Sequence, residues 1–430
     1  MDKPMNTTDT LSSDARAIFQ AGVAAADPYH AVLNALEIHD GEWSKAARVH
    51  VIAAGKGAIP MIEAALEFLP HGKIADALAV TNYENVRDVE GVTVIGASHP
   101  LPDENGAEGA RRIEAIAHAA GASDLVLCLI SGGASALLPA PPEGITLAEK
   151  IRANDLLLKS GADIVAMNTV RKALSRLKGG GLARAIVPAQ GLALILSDVP
   201  GDDLAIIASG PTVPDPAEPG KALEIVRAFG LEGEMPASVM AHLEKRASAQ
   251  KQDFVQTTEN ILVGSNSISL HAMEGAAKHK GYDTVILSEW LEGDVQDAAQ
   301  AFRDAAGTAP SGKPVAILAG GETSVQVIGS GKGGRNQEMA LRFAALCETN
   351  SLPGDWAFLS GGTDGRDGPT DAAGGLVTAR TIPALEAKGL SVETYLANND
   401  AYHALNEAGA LLKTGATGTN VADLQVLLLG

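Results

Sequence analysis

The chain has 430 residues and is 46% hydrophobic, enough to bury a large core but more than one core usually supports, so two domains are expected. Its 33 basic and 52 acidic side chains give a formal charge of -19, which argues against nucleic-acid and anionic-membrane partners and requires a local positive pocket for any small anionic ligand. With only Cys128 and Cys347, both in apolar runs, no signal-like segment in MDKPMNTTDTLSSD, and apolar stretches broken by Gly, Pro or charge, the expectation is a soluble cytoplasmic protein in a reducing compartment.

Residues 15–36 read as helix, with Asp27 and Pro28 marking a break or a new first turn. The run 49–54 is a short buried strand, followed by Gly55, Lys56 and Gly57 and a helical pattern over 58–68. Strands are expected at 74–80 and 92–95 and a helix at 105–120. The run 125–130, LVLCLI, lacks polar alternation, fits an interior parallel strand and ends at Ser131, Gly132 and Gly133. Thr146 and Glu149 have capping-box spacing, so a helix starts there, and 164–177 gives another helical pattern. The strand 192–196 leads into SDVPGDDLAIIASGPTVPDP, which reads as a structured site loop.

A boundary is placed between about 230 and 255, giving domains 1–245 and 246–430. Strands then follow at 260–263, 284–287, 315–319 and 356–359, alternating with helical segments, so both halves read as α/β. Glycine pairs stand at three strand exits, 132–133, 320–321 and 361–362, with spacings too irregular to establish a repeat.

Several of these exits carry candidate chemistry. Lys56, between two glycines after a strand, can compensate phosphate or carboxylate charge, although there is no Walker-A spacing; the alternative is a solvent-facing turn lysine. SGGAS at 131–135 offers Ser131, Gly132, Gly133 and Ser135 as an oxyanion or phosphate cradle, unless small residues serve only helix packing. Arg171, Lys172, Arg176 and Lys178 form a rare basic concentration with Asn168 one turn earlier, and a solvated helix end competes with ligand contact. In 318–341, LAGGETSVQVIGSGKGGRNQEMAL, Gly333, Gly334 and Asn336 flank Arg335, which can hold a carboxylate or a transferring phosphoryl by paired hydrogen bonds. Its GxGxxG spacing lacks the context of a dinucleotide fingerprint. SGGTDGRDGPTD at 360–371 gathers Asp364, Asp367 and Asp371, and Asp198 with Asp202 form a second acidic pair. Such carboxylates could hold Mg²⁺, directly or through water, and one could accept a hydroxyl proton; the histidines show no zinc spacing.

Taken together, AAGKGA at 53–58, SHPLPDENG at 98–106, SGGASALLPAP at 131–141, NTVRKALSRLKGGGLA at 168–183, LSDVPGDDLAIIASGPTVPDP at 196–216, GGRNQEMAL at 333–341, SGGTDGRDGPTDAAGG at 360–375 and TGTNVADL at 417–424 resemble the glycerate 2-kinase family, over nearly the whole chain. The resemblance implies a Rossmann-like N-terminal domain, a smaller α/β C-terminal domain and a non-Walker site in the cleft between them. It further implies ATP-dependent phosphorylation of D-glycerate at its 2-hydroxyl, giving 2-phospho-D-glycerate and ADP, with Lys56 and Arg335 matching the family's important basic residues. On that reading Lys56, Arg335 and Asp364 are catalytic, and Asp198 and Asp364 are Mg²⁺ ligands. Ser131, Gly132, Gly133, Ser135, Asn168, Arg171, Gly333, Gly334 and Asn336 would bind substrate or phosphate. Two rival readings are kept, an NAD(P)H-dependent hydroxypyruvate reductase and a noncatalytic nucleotide-binding interaction module, and a homo-oligomer is left open.

Overall fold

The computed structural model describes residues 8–250, 257–309 and 313–430. They divide into two compact units, residues 28–263 and a second unit that joins the N-terminal helix Thr8–Ala25 to residues 264–430. A single cut at 245/246 does not describe this division. The chain passes between units at 27/28, where the Asp27–Pro28 break separates Thr8–Ala25 from Pro28–Ile38, and again at 263/264.

The first unit is built on β1 (Val49–Ala54), β2 (Ile74–Asn82), β3 (Thr93–Ala97), β4 (Leu125–Ile130), β5 (Gln190–Leu196) and β6 (Thr258–Gly264), in the order β3-β2-β1-β4-β5-β6. The pairings β3–β2, β2–β1, β1–β4 and β4–β5 are parallel. This is the Rossmann-like order, with its topological switch between β1 and β4. Both central strands are buried at every residue, as unalternating VHVIAA and LVLCLI require. Successive side chains feed opposite cores. Val49, Val51, Leu127 and Leu129 meet helices Pro28–Ile38 and Ala58–Phe68 on one face. Ile52, Val126, Cys128 and Ile130 meet Ile113 and Ala117 of Glu104–Ala119 on the other. Four helices, Leu147–Lys159, Ile164–Ala173, Lys221–Ala228 and Ala237–Ala247, share a separate core. The first of these starts with the expected capping box of Thr146 and Glu149.

The second unit carries β7 (Asp283–Leu291), β8 (Val315–Gly321), β9 (Trp356–Gly362), β10 (Gly374–Thr378), β11 (Leu411–Leu412) and β12 (Asp423–Leu429), ordered β11-β10-β9-β12-β8-β7. Only β7–β8 is parallel; β12 runs antiparallel between β8 and β9. One face packs on Leu11, Ala15, Ile18 and Phe19, against Leu424, Val426 and Leu428, which is why the N-terminal helix belongs here. On the other face Phe302, Phe343 and Phe358 form the core beneath helices Val295–Thr308 and Arg335–Thr349, with Phe343 and Phe358 stacked at 4.3 Å between centroids. Among the described residues no helix is long and apolar enough to cross a membrane.

Candidate active site

In the first unit, the C-terminal ends of β1, β4 and β5 converge at the switch point, where ligands bind in open α/β sheets. Gly55 leaves β1 at φ 127°, and a Cβ there would lie 2.2 Å from Ser131 Oγ, so only glycine allows the two strand exits to touch. The Gly57 N–H donates to Ser131 Oγ at 2.9 Å and the Lys56 N–H to the Gly132 carbonyl at 2.9 Å. These bonds make Ser131 a strut between the turns and fix the backbone from which the half-buried Lys56 side chain projects. A Cβ on Gly132 would meet Asp198 Oδ2 at 2.1 Å, and one on Gly133 would meet His99 at 3.2 Å and Lys56 Cγ at 3.3 Å. Lys56, His99, Gly132, Gly133 and Asp198 therefore share one strand-exit surface. Burial, helped by the neighbouring Lys56 charge, lowers the His99 imidazole from its ordinary value and favours its neutral form. The tripeptide SHP alone carries no catalytic signal, so the sequence does not mark His99.

The basic concentration at 171–178 separates into two kinds of group. Lys172 pairs with Asp215 at 3.8 Å and Arg176 with Glu114 at 2.8 Å, so those two cations tie elements together. Arg171 and Lys178 have no ion-pair carboxylate among the described residues. Arg171 is bonded only weakly to Asn168 Oδ1, at 3.5 Å. Lys178 is 6% exposed and donates to the Ser135 carbonyl at 2.7 Å while also touching Ser135 Oγ. Burial, with the charges of Lys150 and Arg171, lowers its amine well below the ordinary lysine range.

In the second unit, the glycine pairs at the ends of β8 and β9 flank the first residue of β12. Asp423 registers with Gly321 on one side and Gly362 on the other, and it is buried. Arg335 bonds it through Nε at 2.6 Å and Nη2 at 3.0 Å, and reaches Glu322 through Nη1 at 2.8 Å. Burial opposes the guanidinium charge, but Asp423 and Glu322 outweigh it and keep Arg335 firmly charged. Asp364 is half-buried beside this pair, its Oδ1 accepting the Arg366 N–H at 2.9 Å. A Cβ on Gly362 would lie 3.3 Å from Asp364 Oδ1 and 3.6 Å from Asp423 Oδ1.

The glycine segment before Arg335 differs from the open anion cradle that its composition suggests. Asn399 Oδ1 accepts the Ile328 and Gly329 N–H groups at 2.8 and 3.0 Å, Asn398 Oδ1 accepts Ser330 N–H at 3.0 Å, and Asp400 accepts Lys332 N–H at 2.9 Å. The N-terminus of Arg335–Thr349 is likewise taken, because Asp367 accepts the Asn336 and Gln337 N–H groups at 3.1 and 2.8 Å. Gly334 permits that approach, since its Cβ would fall 2.3 Å from Asp367 Cγ, and Gly333 packs beside Ala401. Asn336 is buried, with its Oδ1 accepting from Ser360 Oγ at 2.6 Å. These donors hold the protein's own carboxylates and amides. Asp423 and Asp367 were the residues missed in role, though TGTNVADL and the acidic turn contained them.

Neither Asp198 nor Asp364 belongs to a group of three His, Cys, Asp or Glu side chains able to hold a metal; among the described residues there is none. Mg²⁺ bound with a nucleotide needs only one or two carboxylates, the remaining ligands being phosphate oxygens and water, so single aspartates at strand exits fit that role.

A family model described as a domain of unknown function (DUF4147) matches residues 14–244, and the MOFRL family matches residues 315–423. The glycerate 2-kinase of Pyrococcus horikoshii is 40% identical over 424 residues, 95% of this chain and 94% of that protein. A putative hydroxypyruvate reductase of Agrobacterium vitis is 39% identical, covering 96% of this chain and 94% of its own. The crystal structure of glycerate kinase from Thermotoga maritima superposes with a TM-score of 0.90 at 38% identity, covering 98% of this chain and all of that one. Matched end to end in sequence and in fold, the chain belongs to the glycerate 2-kinase family.

Proposed function

We propose that this protein is a glycerate kinase that transfers the γ-phosphoryl of ATP to the 2-hydroxyl of D-glycerate, giving 2-phospho-D-glycerate and ADP. The observation that carries this reading is the end-to-end similarity to a glycerate 2-kinase, at 40% identity. Phosphoryl transfer asks mainly for positioning and charge compensation, and the strand-exit surfaces have groups suited to both. Lys56, with no ion-pair carboxylate among the described residues, would compensate charge on the phosphoryl or on the glycerate carboxylate. Arg335 would turn one edge of its guanidinium from Glu322 to an anionic ligand while Asp423 holds the other. Gly132 and Gly133 allow close approach of phosphate oxygens, and Asn168 lies one turn before Arg171, which unlike its neighbour Lys172 has no ion-pair carboxylate among the described residues. Mg²⁺, when bound, would neutralise the ATP phosphates; Asp198 in the first unit and Asp364 in the second are each a candidate carboxylate to hold it.

The sheet order of the first unit and the Agrobacterium relative's name also suit a second reading, reduction of hydroxypyruvate by NAD(P)H. Purified protein decides between them. D-glycerate and Mg-ATP are expected to yield ADP, and hydroxypyruvate is expected to leave NADH unoxidised; the reverse pattern rejects the kinase. Lys56→Ala should keep its fold and lose at least about 100-fold in kcat/KM. Arg335→Ala would strand the buried Asp423 at a cost of roughly 3–5 kcal/mol, so Arg335→Lys, which keeps charge and loses the paired geometry, is the cleaner variant. Wild-type turnover in folded Lys56→Ala and Arg335→Lys removes both roles.

A further inference from the structure

Behind the partly exposed Ser135, the first unit contains a buried lysine to which no role has been given. Lys178 shares an apolar cavity with Leu138, Leu182, Ala208 and Pro211, and its amine contacts Ser135 at both the carbonyl, 2.7 Å, and the hydroxyl. Ser135 Oγ lies 3.0 Å from Ser209 Oγ. Ser209 is delivered there by strained backbone: Ala208 and Ser209 both adopt positive φ, 52° and 64°, held by the Ser209 N–H to Ile206 carbonyl bond at 2.8 Å and the Gly179 N–H to Ser209 carbonyl bond at 3.0 Å. Consecutive non-glycine residues in this region signal a functional constraint. The charged groups that bear on Lys178 are Lys150 from helix Leu147–Lys159 and Arg171 from Ile164–Ala173, both cations.

This arrangement suits a neutral amine. Lys178 Nζ is within bonding reach of both Ser135 oxygens, so in a neutral amine one N–H would donate to the carbonyl while the lone pair would be placed to take the hydroxyl proton, with Ser209 Oγ on the serine oxygen. Ser135 is partly exposed and stands two residues beyond Gly133, whose position packs against the Lys56 side chain. The carboxylates are less suited to proton acceptance. Asp198 or Asp364 would be a weakened base if it held Mg²⁺, and Asp367 and Asp423 are buried and bonded elsewhere.

We propose that Ser135 and Lys178 are the route by which the acceptor hydroxyl loses its proton, an inference that rests on the phosphoryl-transfer reading. The hydroxyl proton passes to Ser135 Oγ as the Ser135 proton passes to Lys178 Nζ. The hydroxyl oxygen bonds to the γ-phosphorus, and the bond from that phosphorus to the bridging oxygen breaks with its electron pair leaving on ADP. Lys178 ends as an ammonium and returns its proton to solvent after product release. Ser135 is the group that touches substrate; Lys178 acts through it.

The test is the pH profile of D-glycerate-dependent ADP formation in the wild type, Lys178→Met, Lys178→Arg, Ser135→Ala and the double variant S135A/K178M, with folding checked by circular dichroism and thermal melting. Wild-type kcat is expected to fall toward acid as Lys178 becomes charged. Lys178→Met should lose at least ~10-fold in kcat, with KM for D-glycerate within about two-fold, and should lose the acid limb. Lys178→Arg should be equally impaired, because arginine keeps the charge and cannot accept the proton; rescue by arginine would overturn the proposal in favour of a purely electrostatic role. Ser135→Ala should match the lysine variants, and the double variant should be no worse than either single one. If the lysine variants fail to fold, Ser135→Ala decides alone, and its retaining wild-type kcat and acid limb sinks the route. A wild type that forms no ADP from D-glycerate at any pH instead rejects the kinase reading itself.

Discussion

Asp367 shows how one side chain converts an expected ligand site into a structural one. Its carboxylate accepts two N–H groups at the start of Arg335–Thr349, a position that favours negative charge. Burial nevertheless pushes the carboxyl up to about 6, against those donors. Since an unfolded aspartate titrates near ~3.9, the folded state binds more protons between the two values, and its stability falls as pH rises through that window. The extra stability is fully present below the unfolded value and lost above the folded one, a span of at most ~3 kcal/mol. Asp367→Asn should remove that part of the pH dependence in urea titrations; parallel wild-type and variant stability curves across about pH 4–7 would refute it. Residue types were legible here, but partners were not. Arg335 announces a cation, whereas its partner Asp423 lies 88 residues later and could be paired with it only through the β8-β12-β9 register.

At the scale of elements, buried strands and their glycine exits were readable because their signals are local. Unalternating β1 and β4 cannot be amphipathic, and the Thr146–Glu149 box is complete within four residues. The strand β12 was not read, although Leu424, Val426 and Leu428 alternate onto one face, because its burial depends on two strands from elsewhere in the chain. The glycines of the loop 328–332 report what its backbone can do, not what holds it. Asn399, at φ 50°, is what holds it, donating as well to the Gln326 carbonyl at 3.1 Å and to Glu338 Oε2 at 2.9 Å. Asn399→Gly keeps that backbone conformation and deletes the amide, so it is expected to cost roughly 2 kcal/mol. Amide hydrogen exchange at Ile328 and Gly329 should speed up selectively; unchanged exchange there would mean the clamp contributes nothing.

For the whole molecule, size and composition pointed correctly to two α/β units, but the chain's path between them was hidden. Helix Thr8–Ala25 is amphipathic in any context, and only the sheet of the second unit shows where its apolar face goes. Gly22 fits that destination, since a Cβ there would lie 2.7 Å from Met273 and 2.8 Å from Leu424. Net charge is informative in the same limited way: a chain of formal charge -19 still concentrates Lys150, Arg171 and Lys178 in one unit with no ion-pair carboxylate among the described residues. The proposed activity is tested most directly by where the phosphate goes. Phosphorus NMR of the product from D-glycerate and Mg-ATP, recorded with proton coupling, should give a doublet, because an ester at the 2-hydroxyl couples to the single proton on C2. A triplet from the two C3 protons, or no organic phosphate beyond the nucleotides, would contradict phosphorylation at the 2-hydroxyl.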